Sequence, residues 1–308
     1  EMDILMKFDS KVFFKLHAIQ IDFTISGVSQ SSNLKSHTIC FALSIDKVVI
    51  DSLTSSEHVI IFIPKGSDLP DDCHTGNVVI ECMNPRFEYI KTTRSVFRNE
   101  AQTFSRELSF IDHSAVIAPT AIVSPFCFVG PNCVIEADCF LAPGVKLIDS
   151  VHVGRETRIG SNTVIGGWGF GIERNNGKER EVIPFGGEPL KMPHFGGVII
   201  GKNCDIGALT TICAGAIEPT LLEDYVMVDD HVHISHNCKL REGSAIVACA
   251  EISGSVEIGK ETWVGPNSSV MQKISIGSAC IVGIGSVVLK SVPDGAVIVG
   301  NPGRALNK

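Results

Sequence analysis

Residues 225–260 read YVMVDD HVHISH NCKLRE GSAIVA CAEISG SVEIGK, and every block of six has an aliphatic residue at its fourth position: Val228, Ile234, Leu240, Ile246, Ile252 and Ile258. A period of six fits neither an alternating strand nor an amphipathic helix. It is the signature of a parallel β-helix, in which each block supplies a short strand and a corner. Three blocks close one triangular coil, so residues eighteen apart stack at about 4.8 Å, the usual strand spacing. His236 falls two residues past the inward Ile234, at a corner, where an imidazole can point outward to a ligand. It is the expected reactive centre.

The same pattern extends in both directions. Nine blocks run from Ser114 to Gly167, three from Gly197 to Ala214 and eleven from Tyr225 to Lys290, giving 23 hexads or between seven and eight coils. The phase breaks over residues 168–196, a stretch too long for a turn and of the length that usually carries function or covers a neighbouring surface. Residues 1–105 show no hexads. Short β-like runs (Lys11 to Leu16, His37 to Leu43, Lys47 to Ile50, His58 to Ile63, Asn77 to Cys82) alternate with turn-forming clusters, and Arg86 to Arg106 has the pattern of a helix. The expected organisation is a small α/β domain over 1–105, followed by a β-helix over 106–308 with an inserted loop at 168–196.

Composition narrows the function. Of 308 residues 44% are hydrophobic and 19% charged, so the chain is globular, and 29 glycines suit repeated tight corners. A net charge of −8 with no basic run argues against nucleic acid as a partner. The cysteine number, 11, is odd, and several cysteines (Cys133, Cys139, Cys204, Cys238) take the second position of a hexad, as small residues between strands. No Cys-x-x-Cys pair is present, so neither a disulfide framework nor a structural zinc is expected, and a reduced cytoplasm fits best. The N-terminal region lacks an apolar run long enough for a signal peptide or membrane span.

Several motifs together resemble the UDP-3-O-acylglucosamine N-acyltransferases of lipid A synthesis. They are Asn84-Pro85 in a small domain, GFG at 169–171, MPHFGGVIIG at 192–201, TTICAGAI at 210–217 and VDDHVHISHN at 228–237. The resemblance implies a left-handed parallel β-helix assembled as a homotrimer, mainly β, with a uridine-binding N-terminal domain. It makes His236 the general base, with Asn237 beside it on the substrate, and gives Asp229, ahead of the alternative Asp230, the task of fixing the imidazole tautomer. Asn84 and Phe87 match the positions that hold the nucleotide base. Gly254, eighteen residues beyond His236, stacks above it by repeat geometry alone, and the family uses that glycine's N–H for the oxyanion. A non-catalytic β-helix scaffold is the alternative of another class.

Two departures bear on the donor. The family has a second histidine thirty-seven residues after the first, where this chain has Lys273, a candidate for substrate phosphate. The sequence also closes with VPDGAVIVGNPGRALNK (292–308), similar to coenzyme-A-dependent sugar acetyltransferases of the same repeat superfamily, where family members continue into C-terminal helices that engage acyl carrier protein. The expectation is therefore transfer of an acyl group, acetyl foremost, from acyl-CoA to the amine of a UDP- or dTDP-linked amino sugar for surface polysaccharide. Gly283 and Gly285 would approach the pantetheine, and Lys290 and Arg304 its phosphates. Acyl-carrier-protein-dependent lipid A acylation is the alternative. No metal is expected, because His233 should face away from His231 and His236 and three ligands would not converge.

Overall fold

The computed structural model describes residues 7–98, 108–174 and 188–305. It divides into two compact units, Glu1–Thr103 and Phe104–Lys308.

In the first unit, four parallel strands, Gly27–Val28, Thr38–Phe41, Ile60–Pro64 and Val78–Cys82, lie side by side in sequence order. Three helices accompany them: α1 (Ser10–His17), α2 (Lys47–Thr54) and α3 (Pro85–Val96). The runs at 11–16 and 47–50 are thus helical, not β-like as their apolar residues suggested. Aspartates decide this. Asp9 accepts from the Lys11 and Val12 amides and Asp46 from the Val49 amide, satisfying first-turn donors that have no intrahelical partner. α3 covers the first part of the helix expected over 86–106; residues 99–107 lie outside the described part. Its N-cap is Asn84, placed just past the C-terminal end of the Val78–Cys82 strand.

In the second unit the chain winds into a parallel β-helix with sheets of nine, eight and ten strands, most of them two residues long. It forms about nine coils, more than the hexads indicated, because Phe110–Ile111 and Val297–Val299 extend the stack at either end and Thr220–Leu222 fills the short piece between repeat blocks. Register follows the repeat: His233 and Ile234 pair with Glu251 and Ile252, which pair with Ser269 and Val270. The inward column Ile165, Ile212, Ile234, Ile252, Val270 and Val288 is at most 2% exposed. Each such side chain stabilises the coil by roughly 1.5–3 kcal/mol.

Corners impose a second regularity. From Phe126 onward one residue in each hexad adopts the left-handed conformation, as at Asn132 (φ 57°), Asp138 (60°), Asn162 (59°), Asn237 (59°) and Lys273 (61°). Asn, Asp and Gly suit this region, whereas Leu209 and Tyr225 are held there by the coil against a local steric penalty. The second-position cysteines are buried, and their thiols hydrogen-bond to carbonyls of the next coil. Burial pushes the Cys238 thiol up to about 12, so it is an inert packing group. No described helix is long and apolar enough to cross a membrane.

The phase break contains a β-hairpin. Ile172–Arg174 pairs antiparallel with Pro189–Lys191, and the chain re-enters the coil at Val198–Ile200. Residues 175–187 lie outside the described part.

Candidate active site

His236 lies where the chain turns from the sheet containing His233–Ile234 into the sheet containing Lys239–Leu240. The left-handed Asn237 makes that corner, its N–H donating to Thr220 Oγ1 (2.9 Å). Its side chain is fully engaged: Nδ2 donates to the Glu218 carbonyl (2.9 Å), while Oδ1 accepts from the Ala216 N–H (3.1 Å) and faces His236 Nδ1 (3.1 Å). The backbone partners fix which end of the amide is oxygen. An oxygen can only accept, so His236 Nδ1 carries the hydrogen and Nε2 the lone pair, an assignment made by the network.

The basic nitrogen faces Gly254. A Cβ added there would lie 2.7 Å from His236 Nε2 and 2.8 Å from Cε1, so only glycine leaves room for the imidazole. Gly254 is not in the left-handed region; the requirement is space, not backbone conformation. Its N–H makes no hydrogen bond among the described residues. Elsewhere along the coil, amides at the equivalent place are capped by carboxylates: Lys202 by Asp224 (2.9 Å), Ala208 by Asp230 (2.6 Å), Ser278 by Asp294 (2.7 Å). The corner thus pairs an imidazole base with an open amide donor.

The neighbouring coils extend the corner. Lys273 and Lys290, both exposed, occupy it two and three coils beyond His236, about 10 and 14 Å away at 4.8 Å per coil. On the other side lies Gly169, whose added Cβ would meet His236 Cδ2 at 2.9 Å and His194 Nε2 at 3.0 Å. His194 itself is 5% exposed and sets its ring edge-on to that of His236, centroids 5.2 Å apart. Sequence reading did not single out His194, because the residue sits in the insertion where the six-residue period gives no placement. Trp168 and Phe195 pack edge to face (6.4 Å), while Phe170, Phe195 and Ile217 are 85%, 77% and 80% exposed.

Other expected site residues are placed elsewhere. Asp229 does not orient His236: it lies at the preceding corner, where its carboxylate accepts from the amides of Asp230 (2.8 Å) and Ala248 (3.2 Å). Asn237, expected on the substrate, supplies the orienting oxygen instead. His231 makes the same preceding corner (φ 59°), and His233 Nδ1 meets Thr211 Oγ1 (2.7 Å) on the outer sheet face. Gly283 and Gly285 are also at that other corner, and their amides are engaged with the carbonyls of Ile298 (2.8 Å) and Pro266 (2.9 Å), so they offer no donor to a pantetheine arm. Arg304 is exposed in the closing hairpin with its guanidinium on the Gly303 carbonyl (3.2 Å).

In the N-terminal unit, Asn84 Oδ1 accepts from the Phe87 amide (3.1 Å) as the cap of α3. One lone pair of the Asn84 oxygen is thus used by the cap, and Nδ2, which makes no hydrogen bond among the described residues, is open to a ligand. Phe87 is 59% exposed and Met83 87%. Both flank the C-terminal edge of the parallel sheet, the edge at which open α/β sheets bind ligands.

Comparison with known proteins places these features. The family description "Bacterial transferase hexapeptide (six repeats)" matches residues 132–167. The UDP-3-O-acylglucosamine N-acyltransferase of Janthinobacterium sp. (strain Marseille) is 34% identical over 140 residues, 46% of this chain and 37% of that protein. The protein of the same name from Xanthomonas axonopodis pv. citri (strain 306) is 42% identical over 97 residues, 32% of this chain and 26% of that protein. The match thus spans about a third of the length of these relatives. Among solved structures, LpxA from Acinetobacter baumannii superposes with a TM-score of 0.56 at 25% identity, covering 65% of this chain and 72% of that one. The UDP-N-acetylglucosamine O-acyltransferase (LpxA) of Moraxella catarrhalis gives a TM-score of 0.55 at 26% identity over the same shares. The coil is the left-handed parallel β-helix of these hexapeptide-repeat acyltransferases.

Proposed function

We propose that this chain is an N-acyltransferase that moves an acyl group from a thioester to the amine of a UDP-linked 3-O-acylglucosamine. The observation that carries the reading is the corner itself, where Asn237 holds His236 Nδ1, Nε2 stands open, and the Gly254 amide beside it has no partner among the described residues. The names of the curated relatives supply the acceptor. In this mechanism His236 Nε2 takes a proton from nitrogen as the amine attacks the thioester carbonyl. The Gly254 N–H receives the oxyanion, and His236 returns the proton to the departing thiolate. General-base help of this kind contributes about 10²–10⁴-fold in rate.

The donor is read as acyl carrier protein and not acetyl-CoA. The glycine amides expected to cradle coenzyme A are engaged within the coil, whereas Lys273 and Lys290 line the catalytic corner as cations for phosphate or for an acidic carrier. A homotrimer accompanies this reading. On one coil the corner is open to water, and three copies about a threefold axis turn such corners into clefts. The exposed Trp168, Phe170, Phe195 and Ile217 are the apolar surface a neighbouring copy would cover. The buried second-position cysteines serve as packing groups in the coil, and the compartment is read as the cytoplasm.

The test sets acyl carrier protein donors beside acyl-CoA donors of the same chain length, on one UDP-amino-sugar, with assembly followed by light scattering. Turnover with the carrier protein by a trimer is expected. Turnover with acetyl-CoA alone would return the chain to sugar acetylation, a fully active monomer would remove the trimer, and nucleotide binding without turnover would make it a scaffold.

Asn84 and Phe87 are assigned to the uracil, through the free Asn84 Nδ2 and the exposed ring, which stacks for roughly 1–3 kcal/mol. Asn84→Asp separates binding from folding, because aspartate caps a helix as well as asparagine but has no donor. The expected result is an unchanged melting temperature and a KM for the nucleotide sugar raised about tenfold, with Phe87→Ala similar or larger. An unchanged KM in both variants would leave Asn84 as a cap only.

A further inference from the structure

Direct acylation of an amine has a proton balance that one base does not meet. An acceptor amine arrives as the ammonium and must lose a proton before it can attack. It must lose a second as the amide forms. His236 accounts for the second. The first needs an acceptor at the same place.

The structure holds a second imidazole there. His194 Nδ1 donates to the Met192 carbonyl (2.9 Å), which can only accept, so the neutral ring presents its lone pair at Nε2. The main chain around it is pinned, Phe195 N–H to the Ala216 carbonyl (3.0 Å) and Gly196 N–H to the Gly215 carbonyl (2.9 Å). Ala216 in turn donates to the Asn237 oxygen that holds His236, so both imidazoles hang from one hydrogen-bonded frame. His194 Nε2 has no partner among the described residues, and it is not one of the sealed unpartnered atoms, which are Ser124 Oγ and Ser244 Oγ. Gly169 is the floor on which the two rings meet. Among the described residues His236 is the titratable side chain in ring contact with His194; Lys191 and Glu218, on the two segments that frame the pair, are exposed.

We propose that His194 is a second catalytic base, which takes the proton of the acceptor ammonium so that His236 receives a free amine. The inference rests on the amine reading above. The ammonium gives one proton to His194 Nε2, and the nitrogen lone pair forms the C–N bond as the carbonyl electron pair moves to oxygen. His236 Nε2 takes the second proton. Collapse of the oxyanion breaks the C–S bond, and the thiolate leaves with the proton from His236. The products are an amide, a thiol and one proton on His194, released to solvent.

The test is the pH dependence of His194→Gln on the UDP-amino-sugar. Below the titration of the acceptor ammonium, kcat/KM should fall at least about tenfold, and above it, where solution supplies free amine, the deficit should shrink to within about threefold. His194→Ala, as a second variant, should recover turnover when imidazole is added. A deficit that stays constant with pH and ignores imidazole makes His194 a packing residue and overturns the proposal, as does no deficit at all. The wild-type arm separates the two readings: a wild type that acylates hydroxyls but no amine overturns the amine reading together with this one, whereas active wild type with a pH-independent variant overturns this one alone.

Discussion

Replacing His236 with alanine is expected to lower turnover at least about a hundredfold while leaving nucleotide-sugar affinity nearly intact. In the proposed mechanism the imidazole acts when the amine loses its proton, so its removal would affect kcat far more than binding. Folding should be unaffected, since the ring projects from a corner and the buried column beneath it is Ile234. Steady-state kinetics and a nucleotide-binding titration check both halves. Near-normal kcat would take His236 out of the mechanism. A parallel loss of affinity would make it a binding residue instead.

The second large effect is expected at Gly254. Alanine there would set its Cβ 2.7 Å from His236 Nε2, closer than such contacts allow, so either the imidazole turns away or the coil shifts. In both cases the base and the open amide lose their common target. Loss of one oxyanion donor alone costs about 10²–10³ in kcat. Because the Gly254 backbone is one that alanine adopts, the melting temperature should barely move. An active Gly254→Ala enzyme would show that the oxyanion is held elsewhere. A variant that unfolds would show that the glycine serves the coil.

The coil was legible in the sequence because two independent demands recur every six residues, an inward aliphatic and a left-handed corner, and both leave a mark on residue type. Stacking at multiples of eighteen also placed Gly254 against His236, and it puts Lys290 on the same corner. Residues off that spacing fall elsewhere on the coil. Asp229 is seven residues before His236 and Gly283 is forty-seven after it, neither a multiple of eighteen, and both lie at a different corner. Asn237 Oδ1 meets His236 Nδ1 as a contact between adjacent residues, which a spacing of eighteen does not mark. His194 had no period to place it; long-range packing of an insertion against the coil brings it to the site. In the N-terminal unit, Val12-Phe13-Phe14 and Val48-Val49-Ile50 have strand-like composition, and only the capping aspartates immediately ahead of each helix gave a local sign of helix.

The most direct measurement is a crystal structure with the N-acylated UDP-sugar bound. The new amide is expected at the His236 corner, its nitrogen within hydrogen-bond reach of His236 Nε2 and its carbonyl oxygen on the Gly254 N–H. Product seated at another corner, or with its amide away from both groups, would contradict it.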